Sequence, residues 1–464
     1  MIMICHNLSA VMLLQALMFS HAISPPPYSG TCPPSSDIKG RRSTVRRWAY
    51  ELLNSSFTAG SGYGQQIFVR DANTFIVPAL EVTPPSIVRD LLLRLLTFQY
   101  PSGDLGLEGI LVNGSAIVKM TKSDASTDQE SSLVSLISKY VVYTKDFGVL
   151  QQPWSSRNDP ANRTVTERMD MMLRYLSSNM GRTSAEHGLL WASTRVDWGD
   201  VQECRGCNQQ IDNRSTVSIG IYENAMFILA MRAFADVLLA AEASVPTRAL
   251  RALAAKWHEY ADQVASSAMK WLWDERRVKF RPHLYVGPVC GPSHGSASFE
   301  CFPYKGSPFS ASAHFDEDEI HYHGGTSVAI EAGLLNVTEI KRVLAVMRSN
   351  VQKAGGEITI GLTCYPPYPN FTPMPPYQYQ NAGDWSWFGA RMVQQLIRHG
   401  LLEDAAAELR PMVDRVCANG DFREWYGRSN DPQGSKAFHG SAGELAIAIS
   451  MLEKAQDGSR DLLI

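Results

Sequence analysis

Two carboxylates, an indole and a glycine occupy four consecutive positions, Asp197-Trp198-Gly199-Asp200, soon after an apolar run at 188–191. Burying two acids this close together is costly unless each is paired or protonated. A carboxylic acid beside an aromatic wall has a raised pKa and can keep its proton near neutral pH. The segment therefore predicts a general acid, with Trp198 available to stack on a sugar ring. The structural alternative is a surface turn in which Gly199 takes a positive φ.

A second acid lies in an aromatic segment near the C-terminus. Glu424 precedes Trp425 and Tyr426, and His439 follows in a second short motif, 438–444. A carboxylate held among aromatic side chains is suited to act as a buried general base. Together with the first segment, this predicts a pair of carboxylates for acid–base chemistry.

Other loops carry side chains suited to sugar hydroxyls. Just before a helix, Arg70 supplies a guanidinium that can donate two parallel hydrogen bonds, and Asp71 supplies a carboxylate that can accept them. Segment 377–387 joins three amides and a carboxylate to four aromatic residues, and amides bind hydroxyls while indoles stack on C–H faces. The alternatives to sugar binding are a surface ion pair at 70–71, a purely structural helix cap at 127–130, and a core helix at 222–224 whose polar side chains have hydrogen-bond partners within the fold. The predicted substrate-binding residues are Arg70, Asp71, Asp128, Asp197, Trp198, Glu223, Asn224, Gln380, Asn381, Trp385, Trp387, Trp425, Tyr426 and His439.

These segments, in this order, resemble those of the inverting glycosidases with a six-hairpin, (α/α)6-barrel fold. That group includes neutral invertases, trehalases, N-glycan-processing glucosidases and debranching α-1,6-glucosidases. Arg70-Asp71-Ala72 resembles the Arg-Asp that holds the sugar in the −1 subsite. Trp198-Gly199-Asp200 resembles their Trp-x-Asp acid, which precedes a helix similar to Tyr222-Glu223-Asn224-Ala225.

The resemblance extends over roughly residues 60 to 455. Segment 379–385 is similar to the Tyr-x-Asn-Gly-Gly-x-Trp loop of invertases, with Ala382 in place of the second glycine. Segment 423–427 is similar to their Pro-Glu-Tyr-Tyr-Asp base segment but lacks its proline and final aspartate. Segment 439–443 is similar to their Trp-Ser-x-Ala-Gly, and the insert 204–213 is longer than expected.

The resemblance implies an all-α, (α/α)6 toroid with long loops and a few short strands, and inverting hydrolysis of an α-glucoside, an α-mannoside or a glycan terminus. Asp200 would protonate the glycosidic oxygen. Glu424 would activate a water from the opposite face, with the two carboxyl groups about 6.5–9.5 Å apart. The residues alone do not separate Asp197 from Asp200, and Asp197 would raise the pKa of Asp200 if both face inward. Arg70, Asp71, Gln380, Asn381, Trp385 and Trp387 would bind the −1 sugar, with no cofactor and no metal.

Two other functions fit the same residues. A phosphorylase on the same fold would replace the activated water by phosphate and would need a basic or hydroxyl cluster near the site. A non-catalytic sugar-binding protein would keep the fold without turnover, although both Asp200 and Glu424 are present. Phosphate-dependent turnover separates the first alternative from hydrolysis.

The elements that must position these loops are mostly helices, eleven or twelve in all. Strand patterns are limited to Ile67–Val69, Lys279–Tyr285 and Ile358–Leu362. A capping box at Thr127–Glu130 predicts the start of an amphipathic helix. Apolar spacing predicts the other helices at Lys39–Leu53, Pro84–Leu96, Val165–Leu176, Ser218–Ala241, Thr247–Trp273, Gly325–Leu335, Thr338–Lys353, Gly383–His399, Leu402–Val416 and Phe438–Glu453.

The composition places the chain among globular proteins that can bury a large core. It has 464 residues, 45% hydrophobic and 19% charged, with a net charge of −3. This net charge does not indicate a basic surface of the kind that binds nucleic acid. No segment after the N-terminus has about 18 uninterrupted apolar residues, so no membrane span is expected.

The N-terminus predicts secretion. An apolar run at 9–19 followed by Ser20-His21-Ala22 has the pattern of a signal peptide over residues 1–22, although no Lys or Arg precedes the run. A Pro- and Ser-rich lead, residues 23–36, suggests a tether, and residues 37–464 are expected to form one catalytic domain. Glycosylation sequons occur at Asn54, Asn113, Asn162, Asn213, Asn336 and Asn370.

The cysteines agree with an oxidising compartment. Eight are present, and seven remain once Cys5 leaves with the signal. Cys204 with Cys207, and Cys290 with Cys301, are the expected pairs, and the odd count implies a free thiol. The protein is therefore expected in the secretory-pathway lumen or outside the cell.

Overall fold

The fold comes from a computed structural model, which describes residues 28–105, 108–112, 116–121, 125–178, 181–199, 201–203, 211–244, 248–292, 299–309, 315–369, 371 and 374–459. Some predictions fall outside these residues. They are the signal segment 1–22, the residues before 28 in the lead, Asp200, Cys204 with Cys207, and the sequons at Asn113 and Asn370.

Helices dominate the described part of the chain. In order they are α1 Ile38–Leu53, α2 Val69–Val82, α3 Pro85–Leu96, α4 Gln129–Thr144, α5 Gly148–Gln151, α6 Val165–Ser177, α7 Ile221–Ser244, α8 Arg248–Leu272, α9 His323–Glu331, α10 Val337–Ala354, α11 Ser386–Arg398, α12 Leu402–Asn419 and α13 His439–Gln456.

Six of these helices form a closed inner ring. Helix α2 packs on α4, α4 on α7, α7 on α9, α9 on α11, α11 on α13, and α13 returns to α2. The inner helices are buried on most faces, as Leu133, Val134, Leu136 and Ile137 in α4 show. A helix that is apolar or buried all round must lie inside the fold.

The other long helices surround this ring and alternate with it along the chain. Helix α1 packs on α13, α3 and α6 on α4, α8 on α7, and α12 on α11. Each is apolar on one stripe only. In α8 the buried residues recur every three or four positions, at Ala254, Trp257, Ala261, Val264, Ala268 and Leu272. The predicted (α/α)6 toroid is confirmed.

Most predicted helices are found within three residues of their expected ends. Arg70 and Asp71, expected just before a helix, lie instead in the first turn of α2. The helix expected from Ser218 begins at Ile221, because 217–219 pair as a strand. The helix expected over Gly325–Leu335 instead runs from His323 to Glu331. The helix predicted from the capping box at Thr127–Glu130 is present as α4, but the box itself is not formed. The Thr127 hydroxyl has no hydrogen-bond partner among the described residues, and Glu130 accepts from the amide of Leu105.

The strands in the described residues have six residues at most. They are β1 Gln66–Phe68, β2 Glu108–Val112, β3 Ala116–Thr121, β4 Pro153–Trp154, β5 Arg163–Thr164, β6 Thr183–Ser184, β7 Leu189–Leu190, β8 Ala192–Ser193, β9 Val217–Ile219, β10 Trp273–Asp274, β11 Lys279–Phe280, β12 Leu284–Tyr285, β13 Val289–Pro292, β14 Phe299–Phe302, β15 His321–Tyr322, β16 Cys364–Tyr365, β17 Trp425–Tyr426 and β18 Pro432–Gln433.

Antiparallel pairing of these strands braces the loops between helices. Two sheets have three strands, in the orders β1-β2-β3 and β12-β9-β8, and the remaining strands pair in twos. The strand predicted over Lys279–Tyr285 is divided into β11 and β12. The strand predicted at Ile358–Leu362 is wrong: the segment is a turn in which Thr359 donates from its amide and its hydroxyl to Asp384.

Two disulfides fasten the described chain. The predicted Cys290–Cys301 bond is present. A second bond, Cys32–Cys417, was not predicted and ties the lead to α12. Tyr28 also stacks on Trp48, so residues 28–36 are attached to the ring and are not a free tether. Cys364 is a buried free thiol.

Within the described part of the chain, one helix is long and apolar enough to cross a membrane by length and composition, at Ile221–Ala243. This segment is most of α7, and its residues are largely buried in the inner ring. The contacts of α7 therefore account for its apolar composition.

Charged residues from four inner helices meet inside the ring. Arg391 donates to Glu331 at 2.6 Å, Gln394 donates to Glu444 at 2.6 Å, and the Lys139 ammonium donates to the Asn73 carbonyl at 2.7 Å. Burial raises the pKa of Glu331, but Arg391, Arg398 and Lys139 outweigh it and hold that pKa at about 2. The ionised carboxylate is therefore part of the folded state.

Glu331 should make the protein acid-sensitive. A carboxylate whose folded pKa is depressed contributes stability above its unfolded pKa of about 4.3 and loses it as the pH falls through the folded value. We expect the free energy of unfolding of the wild type to fall more steeply between pH 4.5 and 2 than that of Glu331→Gln, measured by urea denaturation. The exposed Glu403→Gln should keep the wild-type slope. Equal slopes for Glu331→Gln and wild type would contradict this assignment.

Candidate active site

The N-termini of the six inner helices share one end of the ring. Along the chain, each inner helix follows an outer helix, so all six inner helices run in the same direction. We call this end the mouth. The segments before the helices hold the predicted site residues, and helix N-termini present backbone N–H groups without partners in the helix.

An ion pair joins the first two inner helices at the mouth. Arg70, in the first turn of α2, donates to both carboxylate oxygens of Asp128, at 2.5 and 2.9 Å, and the Tyr222 hydroxyl of α7 donates to the same carboxylate at 3.2 Å. Burial raises the pKa of Asp128, but Arg70, with Arg195 and Tyr222, lowers it below its ordinary value. Arg70 and Asp128 are thus committed largely to each other.

The Asp197 loop, residues 194–199, lies between α7 and α9. Asp197 has φ +50° and accepts the Gly325 amide with both carboxylate oxygens, at 2.9 and 3.0 Å. A Cβ at Gly324 or Gly325 would come within 2.7 and 2.6 Å of this carboxylate, so glycine is required there. Burial raises the pKa of Asp197 to about 8, against the lowering effect of the amides. The side chain caps the N-terminus of α9.

The same loop is fastened to α7 by a second ion pair. Arg195 pairs with Glu223, and both side chains are buried. A small cavity of about 10 Å³ is lined by Arg195 and Glu223 together with Asp197 and His283. Asn224, the next residue along α7, forms hydrogen bonds with the backbone amide and carbonyl of Leu190 and with the Gly220 carbonyl. The side-chain amide of Asn224 is therefore engaged within the fold.

An aromatic cluster occupies the other side of the mouth. The Trp198 ring lies 4.5 Å from that of Trp385 and 5.5 Å from that of Trp387, with Phe388 stacked on it. Trp198 is only 2% exposed, so its faces pack on protein. The indole nitrogens of Trp198 and Trp387 are buried and have no hydrogen-bond partner within the described part of the chain.

Asp200 lies outside the described residues, but its neighbour Gly199 is described. A Cβ on Gly199 would meet the side-chain amide oxygen of Gln380 at 2.5 Å, so the 377–387 segment packs directly on the Asp197 loop. Asn381 is fixed by the backbone of Tyr368 and Met374, through three hydrogen bonds of 2.8 to 2.9 Å. Ala382 takes φ +67°, the conformation that favours glycine.

Glu424 is held at the same mouth by two donors. The Tyr63 hydroxyl donates to one carboxylate oxygen and the Ser435 amide to the other, both at 2.7 Å. Burial raises the pKa of Tyr63 well above its ordinary value, and Glu424, Tyr379 and Asp71 add to the effect. Asp71 therefore lies within electrostatic range of the Tyr63–Glu424 pair.

The remaining predicted residues surround Glu424. Trp425 lies 6.2 Å from the Tyr379 ring, and the buried Tyr426 ring lies under the guanidinium of Arg415 at 4.2 Å. His439 begins α13, and burial lowers its pKa to about 4. The imidazole is therefore neutral near pH 7 and packs against Phe75.

The sequence analysis did not identify Tyr63 and Arg195 as site residues. Tyr63 lies in a glycine-rich loop with no helical or strand pattern, and its contact with Glu424 spans 361 positions. Arg195 lies two positions before Asp197 in the sequence, and its charge close to a predicted acid was the one available signal. Within the described residues, no group of three or more His, Cys, Asp or Glu is arranged to hold a metal.

Comparison with solved structures finds a similar fold in several glycosidases. A rhamnosidase from Klebsiella oxytoca with rhamnose bound matches with a TM-score of 0.55 and 12% identity, over 91% of this chain and 66% of that one. A GH63 mannosylglycerate hydrolase from Thermus thermophilus in complex with glucose matches with a TM-score of 0.57 and 11% identity, over 87% and 99%. A glycosidase variant in complex with glucose gives 0.54 and 13%, over 91% and 99%.

At the level of sequence, no protein-family model and no curated protein matches this chain. The structural likeness at these identities shows the fold. The chain has the (α/α)6-barrel fold of these glycosidases, as the resemblance implied.

The Arg70–Asp128 pair should be a major source of stability at the mouth. Removing one partner of a buried pair leaves the other charge uncompensated and costs about 3–5 kcal/mol. We expect Asp128→Asn to lower the free energy of unfolding by that amount in urea denaturation. Asp262→Asn breaks an exposed pair with Arg232 and should cost less than about 1 kcal/mol. Equal losses in the two variants would show that the buried pair is not a structural anchor.

Proposed function

We propose that the protein is an inverting glycoside hydrolase. The observation that carries this proposal is that the Asp197 loop and Glu424 reach the same mouth from opposite sides of one aromatic segment. Trp385 contacts Trp198, and Tyr379 lies between Trp385 and Trp425. The solved structures with this fold that hold rhamnose or glucose support a carbohydrate substrate.

In the proposed mechanism, Asp200 is the general acid and Glu424 is the general base. Asp197 is less suited to be the acid, because both its oxygens accept the Gly325 amide and it caps α9. Its raised pKa keeps it protonated near neutral pH, so it would not repel charge on Asp200. Glu424 keeps an ordered carboxylate through Tyr63 and Ser435, and would take a proton from the attacking water.

The charges at the mouth favour hydrolysis over phosphorolysis. To bind phosphate, a site needs cationic donors that are not already neutralised by carboxylates, or a cluster of hydroxyl donors. Among the described residues, Arg70 faces Asp128, Arg195 faces Glu223 and Arg415 faces Asp384. These pairings leave the arginines neutralised, which suits an uncharged sugar such as an α-glucoside or α-mannoside.

The proposal is tested by a hydrolysis screen of the purified protein on α- and β-linked glucosides, mannosides, rhamnosides and disaccharides, with and without phosphate. The anomer first released is read by NMR. Release with inverted configuration is expected. Retained configuration would exclude the water mechanism, phosphate-dependent release would favour the phosphorylase, and no release on any substrate would favour a binding protein.

Substitutions should distinguish the roles of the two proposed catalytic residues from the role of Asp197. Asp200→Asn and Glu424→Gln are each expected to lower kcat by 100-fold or more, since general acid–base catalysis contributes about 10²–10⁴. Thermal unfolding should show that both variants remain folded. Asp197→Asn is the matched control: it should lower stability through the α9 cap while retaining more activity than Asp200→Asn. Near-wild-type turnover in either catalytic variant would reject that residue.

We also propose that the protein enters the secretory pathway. The described sequons at Asn54, Asn162, Asn213 and Asn336 are exposed, and two disulfides agree with an oxidising compartment. Expressed as the full chain in a eukaryotic secretory host, the protein should appear in the medium. Its mass should fall on enzymatic removal of N-glycans, and by less when these four asparagines are changed to Gln. An intracellular, unglycosylated product would contradict the proposal.

A further inference from the structure

The loop before α11, residues 374–383, has a strained backbone at two tyrosines. Tyr377 has φ +62° and Tyr379 has φ +47°, and Ala382 follows with φ +67°. In this left-handed region the Cβ atom crowds the following carbonyl oxygen, so glycine and asparagine are usual there and a bulky side chain is an outlier. Such residues persist only where the surrounding structure imposes their conformation, and they concentrate in functional sites.

Backbone hydrogen bonds impose this conformation on Tyr379. Its carbonyl accepts from the Gly383 amide at 3.0 Å and from the Trp385 indole nitrogen at 3.1 Å. The Asn381 amide donates to the Gln378 carbonyl at 2.9 Å, which closes the turn. These three bonds do not involve the Tyr379 side chain, so asparagine or glycine at this position would satisfy them with less strain. The turn therefore does not account for the presence of a tyrosine.

The Tyr379 side chain lies at the mouth, on the side of Glu424. Its ring centroid is 5.3 Å from that of Trp385 and 6.2 Å from that of Trp425. It is also within electrostatic range of Tyr63, whose hydroxyl donates to Glu424. Tyr379 is partly exposed, whereas Trp385 is only 2% exposed. A partly exposed aromatic ring near a carboxylate is suited to stack on the C–H face of a sugar.

Tyr377 has a similar backbone conformation but different neighbours. The Arg428 guanidinium lies over its ring, 4.9 Å from the centroid. Burial raises the pKa of Tyr377 and Arg428 lowers it, and the other contributors, Tyr365 and Cys364, lie in β16. The cation–π contact with Arg428 accounts for an aromatic residue at position 377. Tyr377 is therefore a matched control for Tyr379, with the same strain and a partner of its own within the fold.

We propose that Tyr379 is a specificity-determining residue whose ring stacks on the sugar bound in front of Glu424. This inference rests on the proposed function for the identity of the ligand. The ring supplies the stacking surface that Trp198 and Trp385 do not offer, because those indoles are buried against protein. The strained backbone at Tyr379 is then the consequence of placing an aromatic ring where the turn favours asparagine or glycine.

The test measures KM and kcat for Tyr379→Asn, Tyr379→Phe and Tyr377→Asn on the glycoside that the hydrolysis screen identifies. Asparagine tolerates the left-handed backbone, so both Asn variants should fold and keep the wild-type hydrogen-exchange rates of the Gly383 and Asp384 amides. Tyr379→Asn removes the ring and should raise KM by about five-fold or more, the size of a typical aromatic stacking contribution, with a smaller change in kcat. Tyr379→Phe keeps the ring, and it and Tyr377→Asn should each raise KM by less than about two-fold.

The opposite results overturn the proposal. A wild-type KM in folded Tyr379→Asn would do so, as would an equal rise in KM for Tyr377→Asn or for Tyr379→Phe. If Tyr379→Asn does not fold, or its Gly383 and Asp384 amides exchange faster than in the wild type, Tyr379→Gly takes its place, because glycine has no steric penalty at positive φ.

Saturation-transfer NMR with D-glucose, D-mannose and L-rhamnose separates this inference from the proposed function, because binding needs no turnover. If the wild type hydrolyses no glycoside but binds one of these sugars, weaker binding by Tyr379→Asn and not by Tyr377→Asn still supports the stacking role. Unchanged binding by Tyr379→Asn rejects that role even if the wild type is a hydrolase. A wild type that neither hydrolyses glycosides nor binds these sugars would reject both proposals.

Discussion

Buried charge at the mouth has to be neutralised between helices, and this constraint organises one half of the ring. Arg70 links α2 to the start of α4 through Asp128, and Tyr222 extends that link to α7. Glu223 of α7 then pairs with Arg195, whose loop caps α9 through Asp197. Four inner helices are therefore joined by a continuous series of polar contacts, each of which would be expensive to break alone.

The other half of the mouth is held by aromatic packing. Trp385 and Trp387 at the start of α11 contact Phe438 before α13, and Trp198 inserts between the two halves. Aromatic pairs at these separations add specific geometry to the area they bury. On the proposed function, the polar half would carry the acid, and the loop after α12 would carry the base. A rigid ring would then fix the separation of the two carboxylates.

The sequence predicts the helices of this fold well because the two rings have different patterns. Inner helices such as α7 are apolar almost throughout, and outer ones such as α8 carry a single stripe, so each type is recognised locally. The failures involve partners that are distant in the chain. Asp128 has the sequence of a helix cap but is taken by Arg70, and Ile358–Leu362 has the pattern of a strand but turns to bond with Asp384.

The site was predictable in composition and less so in geometry. The segments containing Asp197, Gln380 and Glu424 were recognised, and the structure brings those three residues to one mouth. Their supports, such as Tyr63 under Glu424 and the Cys32–Cys417 bond, join positions hundreds of residues apart, and no local pattern indicates them. Indoles predicted to stack on sugar are buried against one another instead, because packing and stacking require the same residue types.

The choice between two neighbouring aspartates shows what three-dimensional context adds. From residues alone, Asp197 and Asp200 are equivalent candidates for the acid. Asp197 lies in a left-handed backbone conformation, its carboxylate fills a space that only Gly324 and Gly325 leave open, and its oxygens satisfy the first amides of α9. A general acid has to release its proton to substrate and regain it, which requires a carboxyl free to exchange partners. A carboxyl closed in by a helix terminus is suited to hold the loop, and for this reason the proposed mechanism assigns the general acid to Asp200 and not to Asp197.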